Sequence, residues 1–124
     1  MMKHTILILF LFLSLLCHGQ SYKFFTTDRE LSSSLINKIY QDRNGMIWIA
    51  TEDGLNRYDV AKFITYKHDP ENEYSLCHNY VRVLYEDSKG RLFVGTYNGI
   101  QLYDPEIDSF SARAQWEDGK TFDS

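Results

Sequence analysis

Between Leu31 and Asp59 the chain swings between short apolar runs and tight polar breaks, and between Leu76 and Asp104 it repeats that swing 45 residues later. The first stretch reads LSSSLINKIYQDRNGMIWIATEDGLNRYD and the second LCHNYVRVLYEDSKGRLFVGTYNGIQLYD. They align without a gap. Leu31/Leu76, Tyr40/Tyr85, Asp42/Asp87, Gly45/Gly90, Thr51/Thr96, Gly54/Gly99, Tyr58/Tyr103 and Asp59/Asp104 are identical. Ile36/Val81, Ile39/Leu84, Ile47/Leu92, Trp48/Phe93, Ile49/Val94 and Leu55/Ile100 keep their apolar character. Joint agreement of turn residues and apolar positions marks an internal repeat, which decides the architecture before any single element does.

Each copy parses into short strands and tight turns. Asn37–Gln41 predicts a first strand of mixed character. Asp42-Arg43-Asn44-Gly45 predicts a turn, because Asp can bond its own backbone and Gly supplies a positive φ. Met46–Thr51 is apolar at consecutive positions, as expected of a strand buried on both faces. Glu52-Asp53-Gly54 offers the Asp-Gly pair of a hairpin. Leu55–Asp59 and Phe63–Lys67 follow as third and fourth strands, and the second copy keeps this order through Ser109–Arg113.

Four antiparallel strands in about 45 residues is the size of a propeller blade. A small sheet with an apolar second strand cannot cover both its faces alone, and stacking a neighbour buries them. The expected fold is therefore all-β: a partial β-propeller of two four-stranded antiparallel blades plus a leading strand, preceded by a signal-peptide helix. The expected divisions are 1–19 for the signal, 20–30 for the leading strand of an incomplete blade, 31–75 and 76–114 for the blades, and 115–124 for a loose tail. The leading strand is read from Tyr22-Lys23-Phe24-Phe25-Thr26, which resembles a fourth strand without a first three.

The opening residues have the layout of an export signal. Lys3 and His4 precede the apolar run Ile6–Leu16, and small residues stand before Gln20. The run is short for a permanent membrane anchor. Cys17 follows Leu16, where a lipidation signal wants a small residue. After cleavage Cys77 is the only cysteine left, so no intrachain disulfide is expected. Contact with a membrane is expected only through the uncleaved signal segment.

Composition adds two points. Nine Tyr and eight Phe favour half-buried pleated surfaces. A net charge of −4 with scattered Lys and Arg argues against nucleic acid as a partner, since phosphate binding needs clustered cations.

Candidate chemistry is sparse. Asp42–Gly45 and Asp87–Gly90 place Gly fourth rather than sixth, unlike a calcium loop, and read as hairpin turns. His68 and His78 stand ten residues apart near loops, with Cys77 beside one, and lack the ligand spacing of a metal site. No nucleophile elbow, phosphate loop or zinc-protease motif is present. The adjacent carboxylates Glu52-Asp53 and Glu86-Asp87 would point to opposite faces of a strand, which suits solvated turns better than acid–base work. Trp48, inside an apolar strand, suits packing between blades. Neither metal nor cofactor is expected. The ligand candidates are the polar or aromatic residues near turns: Arg57, Tyr97 and Asn98.

These residues resemble the two-component regulator propeller repeats. That pattern runs from a Leu-Ser-Ser start through Asp-x-x-Gly and Ile-Trp-Ile-Gly-Thr to Gly-Leu-x-x-Tyr-Asp. The chain has Leu31-Ser32-Ser33, Asp42 with Gly45, Ile47–Thr51 and Gly54–Asp59; the second copy has Asp87 with Gly90, Leu92–Thr96 and Gly99–Asp104. It departs at Leu76-Cys77-His78-Asn79, at Phe93 in place of Trp, and at Ala50 in place of Gly. The resemblance implies the N-terminal part of the periplasmic sensing propeller of a hybrid two-component protein. It further implies glycan-derived ligands bound by the intact propeller, remaining blades as partners, and a kinase part lying elsewhere, so that this piece is no enzyme. An exported propeller enzyme (hydrolase, lyase or quinoprotein) or a protein-interaction propeller is the alternative. Two blades alone leave apolar faces and unpaired edges, so the isolated chain is expected to be marginally stable or to aggregate.

Overall fold

The computed structural model describes residues 2–14, 19–26 and 30–111. A helix, α1 (Met2–Ser14), precedes eight strands: β1 (Ile36–Gln41), β2 (Ile47–Thr51), β3 (Gly54–Tyr58), β4 (Phe63–Tyr66), β5 (Val81–Glu86), β6 (Leu92–Thr96), β7 (Gly99–Asp104) and β8 (Ser109–Phe110). They form two four-stranded sheets, ordered β1-β2-β3-β4 and β5-β6-β7-β8, antiparallel throughout. These sheets are the two expected blades, here blade 1 and blade 2. Observed strand limits differ from the expected ones by a residue or two; the expected last strand ran on to Arg113, and Ala112 and Arg113 lie outside the described residues, as does the tail.

Local chemistry sets the turns. Asp42 Oδ1 accepts from the amides of Asn44 at 2.9 Å and Met46 at 3.0 Å, closing the β1–β2 turn. Asp87 Oδ1 does the same for Lys89 at 3.0 Å and Arg91 at 2.9 Å. Gly45 and Gly90 complete these turns at φ 85° and 80°, a region costly for residues with a Cβ. Gly54, at φ 127°, ends the β2–β3 hairpin, where an added Cβ would lie 2.9 Å from the Tyr66 carbonyl oxygen.

The same Asp carries a second task, and the two blades solve it differently. Asp42 Oδ2 accepts from the buried Trp48 indole Nε1 at 2.8 Å. In blade 2 Phe93 removes that donor, and Arg91 Nε binds Asp87 Oδ2 at 2.6 Å instead. Arg91 thus compensates for the aromatic exchange.

A shared core lies between the blades. Trp48, Ala50 and Leu55 from blade 1 pack with Leu76, Val81, Leu84, Leu92, Val94 and Phe110 from blade 2 and its approach loop. The inner strands approach most closely, with β5 against β1 and β2. Towards the outer strands rings fill the gap: Tyr66 on β4 meets Phe110 edge-on at 5.3 Å, and Trp48 meets Tyr103 at 4.7 Å. Sheets close at one edge and wedged apart at the other make a fan, which is a partial β-propeller.

The expected leading strand is not formed. Residues 20–26 pair with no strand in the structure. Phe25 instead lays its ring on Tyr58 at 4.9 Å and Phe63 at 4.8 Å. Ring contacts, rather than a backbone ladder to the edge strand β4, hold the segment at the outer part of blade 1.

Candidate functional site

Strand direction gathers one set of loops at one end of both blades. β3 leaves the Glu52–Asp53 turn and β4 returns to it, so the connection 67–80 and the start of β5 share that end. Gly54 N–H donates to the Asn79 carbonyl at 2.7 Å, and Tyr97 N–H to the Tyr80 carbonyl at 3.3 Å. The β6–β7 turn, Tyr97–Asn98, is therefore at the same end.

An aromatic platform stands there. The Tyr80 and Tyr97 rings stack at 4.2 Å with planes 21° apart. His78 meets Tyr97 edge-on at 5.7 Å, and the Arg82 guanidinium lies 5.5 Å from the Tyr97 ring centre. Tyr80 Oη donates to Glu52 Oε1 of blade 1 at 3.0 Å, so both blades contribute. That hydrogen bond, with burial second, holds the Tyr80 hydroxyl above its ordinary pKa. Tyr80 N–H donates to His78 Nδ1 at 2.9 Å, which leaves the His78 hydrogen on Nε2. Tyr97 is 58% exposed, so its ring is open to a ligand.

Arg82 owes its position to a β-bulge. The β5–β6 register shifts between Val81 and Val83, leaving Arg82 unpaired in the ladder. Its counterpart in blade 1, Asn37, sits at the matching shift and donates from Nδ2 to the Val81 carbonyl of blade 2 at 2.8 Å. Arg82 therefore stands at the rim where a further blade would meet this one.

Of the residues named from sequence, Tyr97 and Asn98 fall in this site. Asn98 braces it, donating from Nδ2 to the Cys77 carbonyl at 3.2 Å. Arg57 is not with them. It pairs across the sheet with Trp48, away from the Glu52–Asp53 turn, and its side chain is only 16% exposed. Its guanidinium lies 5.6 Å from the Trp48 ring centre and 5.8 Å from those of Tyr66 and Tyr103. Asp108 Oδ1 accepts from Arg57 Nη1 at 2.8 Å and also from Tyr103 Oη at 2.7 Å and from Tyr66 Oη. Arg57 also donates to Tyr103 Oη. Arg57 thus joins the two blades from inside the seam.

Sequence reading missed Tyr80, His78, Arg82 and Glu52. The available signal was divergence between the copies: Tyr80 and Tyr97 stand where the first copy has Leu35 and Glu52. Among the described residues no three His, Cys, Asp or Glu side chains converge as a metal site.

The comparisons agree with this architecture. Residues 30–53 and 75–98 match the family model of the two component regulator propeller. The two matched segments stand 45 residues apart, as the repeated motifs do, and each runs into the first two strands of one blade. The chain is 39% identical over 73 residues to a histidine kinase, P4, of Formosa agariphila, a match covering 56% of this chain and 5% of the kinase. The extracellular domain assigned to a hybrid two component system of B. thetaiotaomicron superposes with a TM-score of 0.63 at 32% identity, covering 73% of this chain and 13% of that one. A second such domain from the same organism gives 0.64 at 22% identity, covering 84% and 15%, and shows the shared fold. The chain therefore spans a small part of each relative. No helix among the described residues is long and apolar enough to cross a membrane.

Proposed function

We propose that this chain is the first part of an exported, ligand-sensing propeller of a hybrid two-component signalling protein, and that its own part is binding rather than catalysis. The repeat match and the likeness to solved extracellular domains support the sensing role. The helix Met2–Ser14, ahead of the small residues before Gln20, supports export. The single observation that carries the ligand reading is the Tyr80–Tyr97 stack, with Tyr97 exposed, beside Arg82 and Glu52.

Such a platform suits a glycan-derived ligand. A pyranose ring has an apolar face that stacks on an aromatic ring, while its hydroxyls need donors and acceptors at the edge. Arg82 supplies the donors and Glu52 the acceptor. Titration with a panel of neutral and uronic-acid-bearing oligosaccharides, read by tyrosine fluorescence and calorimetry, tests the reading. Binding is expected, weakened at least tenfold by Tyr97→Ala and unchanged by Lys67→Ala. Absence of binding to every sugar, or binding indifferent to Tyr97→Ala, would contradict it.

A further inference from the structure

Residues 19–26 lie ahead of both blades, and their local chemistry does not depend on how many blades follow. α1 ends at Ser14, and residues 19–26 are neither helix nor strand. Gly19 and Gln20 are exposed, and a Cβ built on Gly19 would meet nothing within 4 Å. An uncovered, irregular stretch behind an apolar helix is open to a peptidase, and the small residues before Gln20 set the cut there.

The end that such a cut exposes is a glutamine. Its side chain places an amide carbon where the freed α-amine closes on it as a five-membered ring, and tethering gives that attack a large effective concentration. An α-amine, unlike a lysine amine, is partly unprotonated at neutral pH and is a nucleophile there. The amide is the reluctant partner, because negative charge builds on Oε1 in the tetrahedral intermediate. The structure sets a donor against that charge. Tyr22 Oη donates to Gln20 Oε1 at 2.7 Å, the separation at which a hydroxyl stabilises an oxyanion. The bond spans two residues, so it needs no blade or seam to form.

We propose that Gln20, once export has removed the signal, closes to pyroglutamate with the Tyr22 hydroxyl supporting its carbonyl oxygen; this rests on the export reading above. The α-nitrogen bonds to Cδ, the Cδ–Nε2 bond breaks, and Nε2 leaves as ammonia with one proton taken from the amine. Nothing is oxidised or reduced, and no co-reactant is consumed. The lactam has neither an α-amine nor its charge. Aminopeptidases therefore lose their handle, and the segment 20–26 keeps its length outside the cytoplasm.

Denaturing mass spectrometry of the full chain, exported from a host without a glutaminyl cyclase, tests this, since it reads covalent state whether or not the chain associates. Samples are taken at harvest and through days at neutral pH. The mature chain is expected to begin at position 20, to lose one ammonia at that residue and to become blocked to Edman degradation. Gln20→Ala is expected to be cut at the same bond and to keep a free amine. Tyr22→Phe keeps the ring and removes only the donor, and is expected to cyclise about threefold more slowly, the worth of one exposed hydrogen bond. A chain that begins at Gln20 and keeps its free amine throughout, or one cut at another bond, would overturn the proposal and leave export standing. A chain that keeps α1 would overturn both. Cyclisation of Tyr22→Phe at the native rate would overturn the part given to the hydroxyl.

Discussion

Arg57 of the first blade donates to Asp108 of the second at 2.8 Å, beneath three aromatic rings that both blades contribute. Asp108 reaches that place because the paired residues Tyr103 and Phe110 are separated by two more residues than their counterparts Tyr58 and Phe63, and it adopts φ 50° there. Asp tolerates that region better than most side chains.

Removal of either partner should therefore have unequal effects. Asp108→Ala leaves a mostly covered guanidinium unpaired, and we expect a loss of about 1–2 kcal/mol, the half-exposed carboxylate placing it below a fully buried pair. Arg57→Leu, which copies Leu102 of the second blade, should cost less, because Asp108 is 46% exposed and water can solvate it. Urea denaturation of both variants and the double variant measures this. A double-mutant coupling near zero would remove Arg57 from the seam's energetics.

The two Asp-x-x-Gly turns should differ in the same sense. Asp42→Ala strips the buried Trp48 indole of its acceptor, a loss of about 1–3 kcal/mol. Asp87→Ala deprives two turn amides and the Arg91 guanidinium, whose side chain is 36% exposed and can turn to water, so its melting midpoint should fall less. Moreover, Arg91→Met with Phe93→Trp should rebuild the first blade's arrangement in the second and recover part of the loss seen for Arg91→Met alone.

Seam stability should be bounded by pH on both sides. Burial opposes ionisation of Asp108, but hydrogen bonds from Tyr66 and Tyr103 and the Arg57 charge outweigh it and hold its pKa below the ordinary value. A depressed carboxyl stabilises above its unfolded pKa, about 3.9, and this contribution fades as pH falls below that. Burial, then the bond to Asp108, raises both Tyr66 and Tyr103. Raised tyrosines stabilise fully below their unfolded pKa, about 10, and that contribution is lost as pH rises above it. Near-ultraviolet circular dichroism against pH should show loss at both limits, with the alkaline loss reduced in Tyr66→Phe.

What the sequence disclosed follows from where the physics is local. Asp42 and Asp87 bond backbone within four residues, and Gly45, Gly54 and Gly90 meet backbone demands that need no knowledge of partners. The repeat offset then placed the strands of both blades. Arg57 was legible as a polar residue near a turn but not as a seam residue, because its partner is 51 residues away in a longer loop. Tyr22–Thr26 has the composition of a strand, yet its Phe25 ring packs on Tyr58 and Phe63, distant residues that the segment alone does not reveal. Tyr97 and Asn98 were legible as candidates because a turn displays its residues; Tyr80 and Arg82 lie beside them only through the 67–80 loop and a bulge.

Export makes its own expectation. Expression with a secretion-competent host should yield a mature chain beginning at Gln20 by mass spectrometry, with Leu9→Arg in the apolar run leaving an unprocessed, cytoplasmic product. A chain that keeps α1 after export would contradict cleavage.

Nuclear Overhauser spectroscopy of the aromatic side chains most directly tests whether the two repeats stack as neighbouring blades. Cross-peaks are expected between Trp48 and Tyr103 and between Tyr66 and Phe110, whose ring centres lie 4.7 and 5.3 Å apart across the seam. A folded chain with intact signals within each sheet and none of these between them would contradict the stacked-blade architecture.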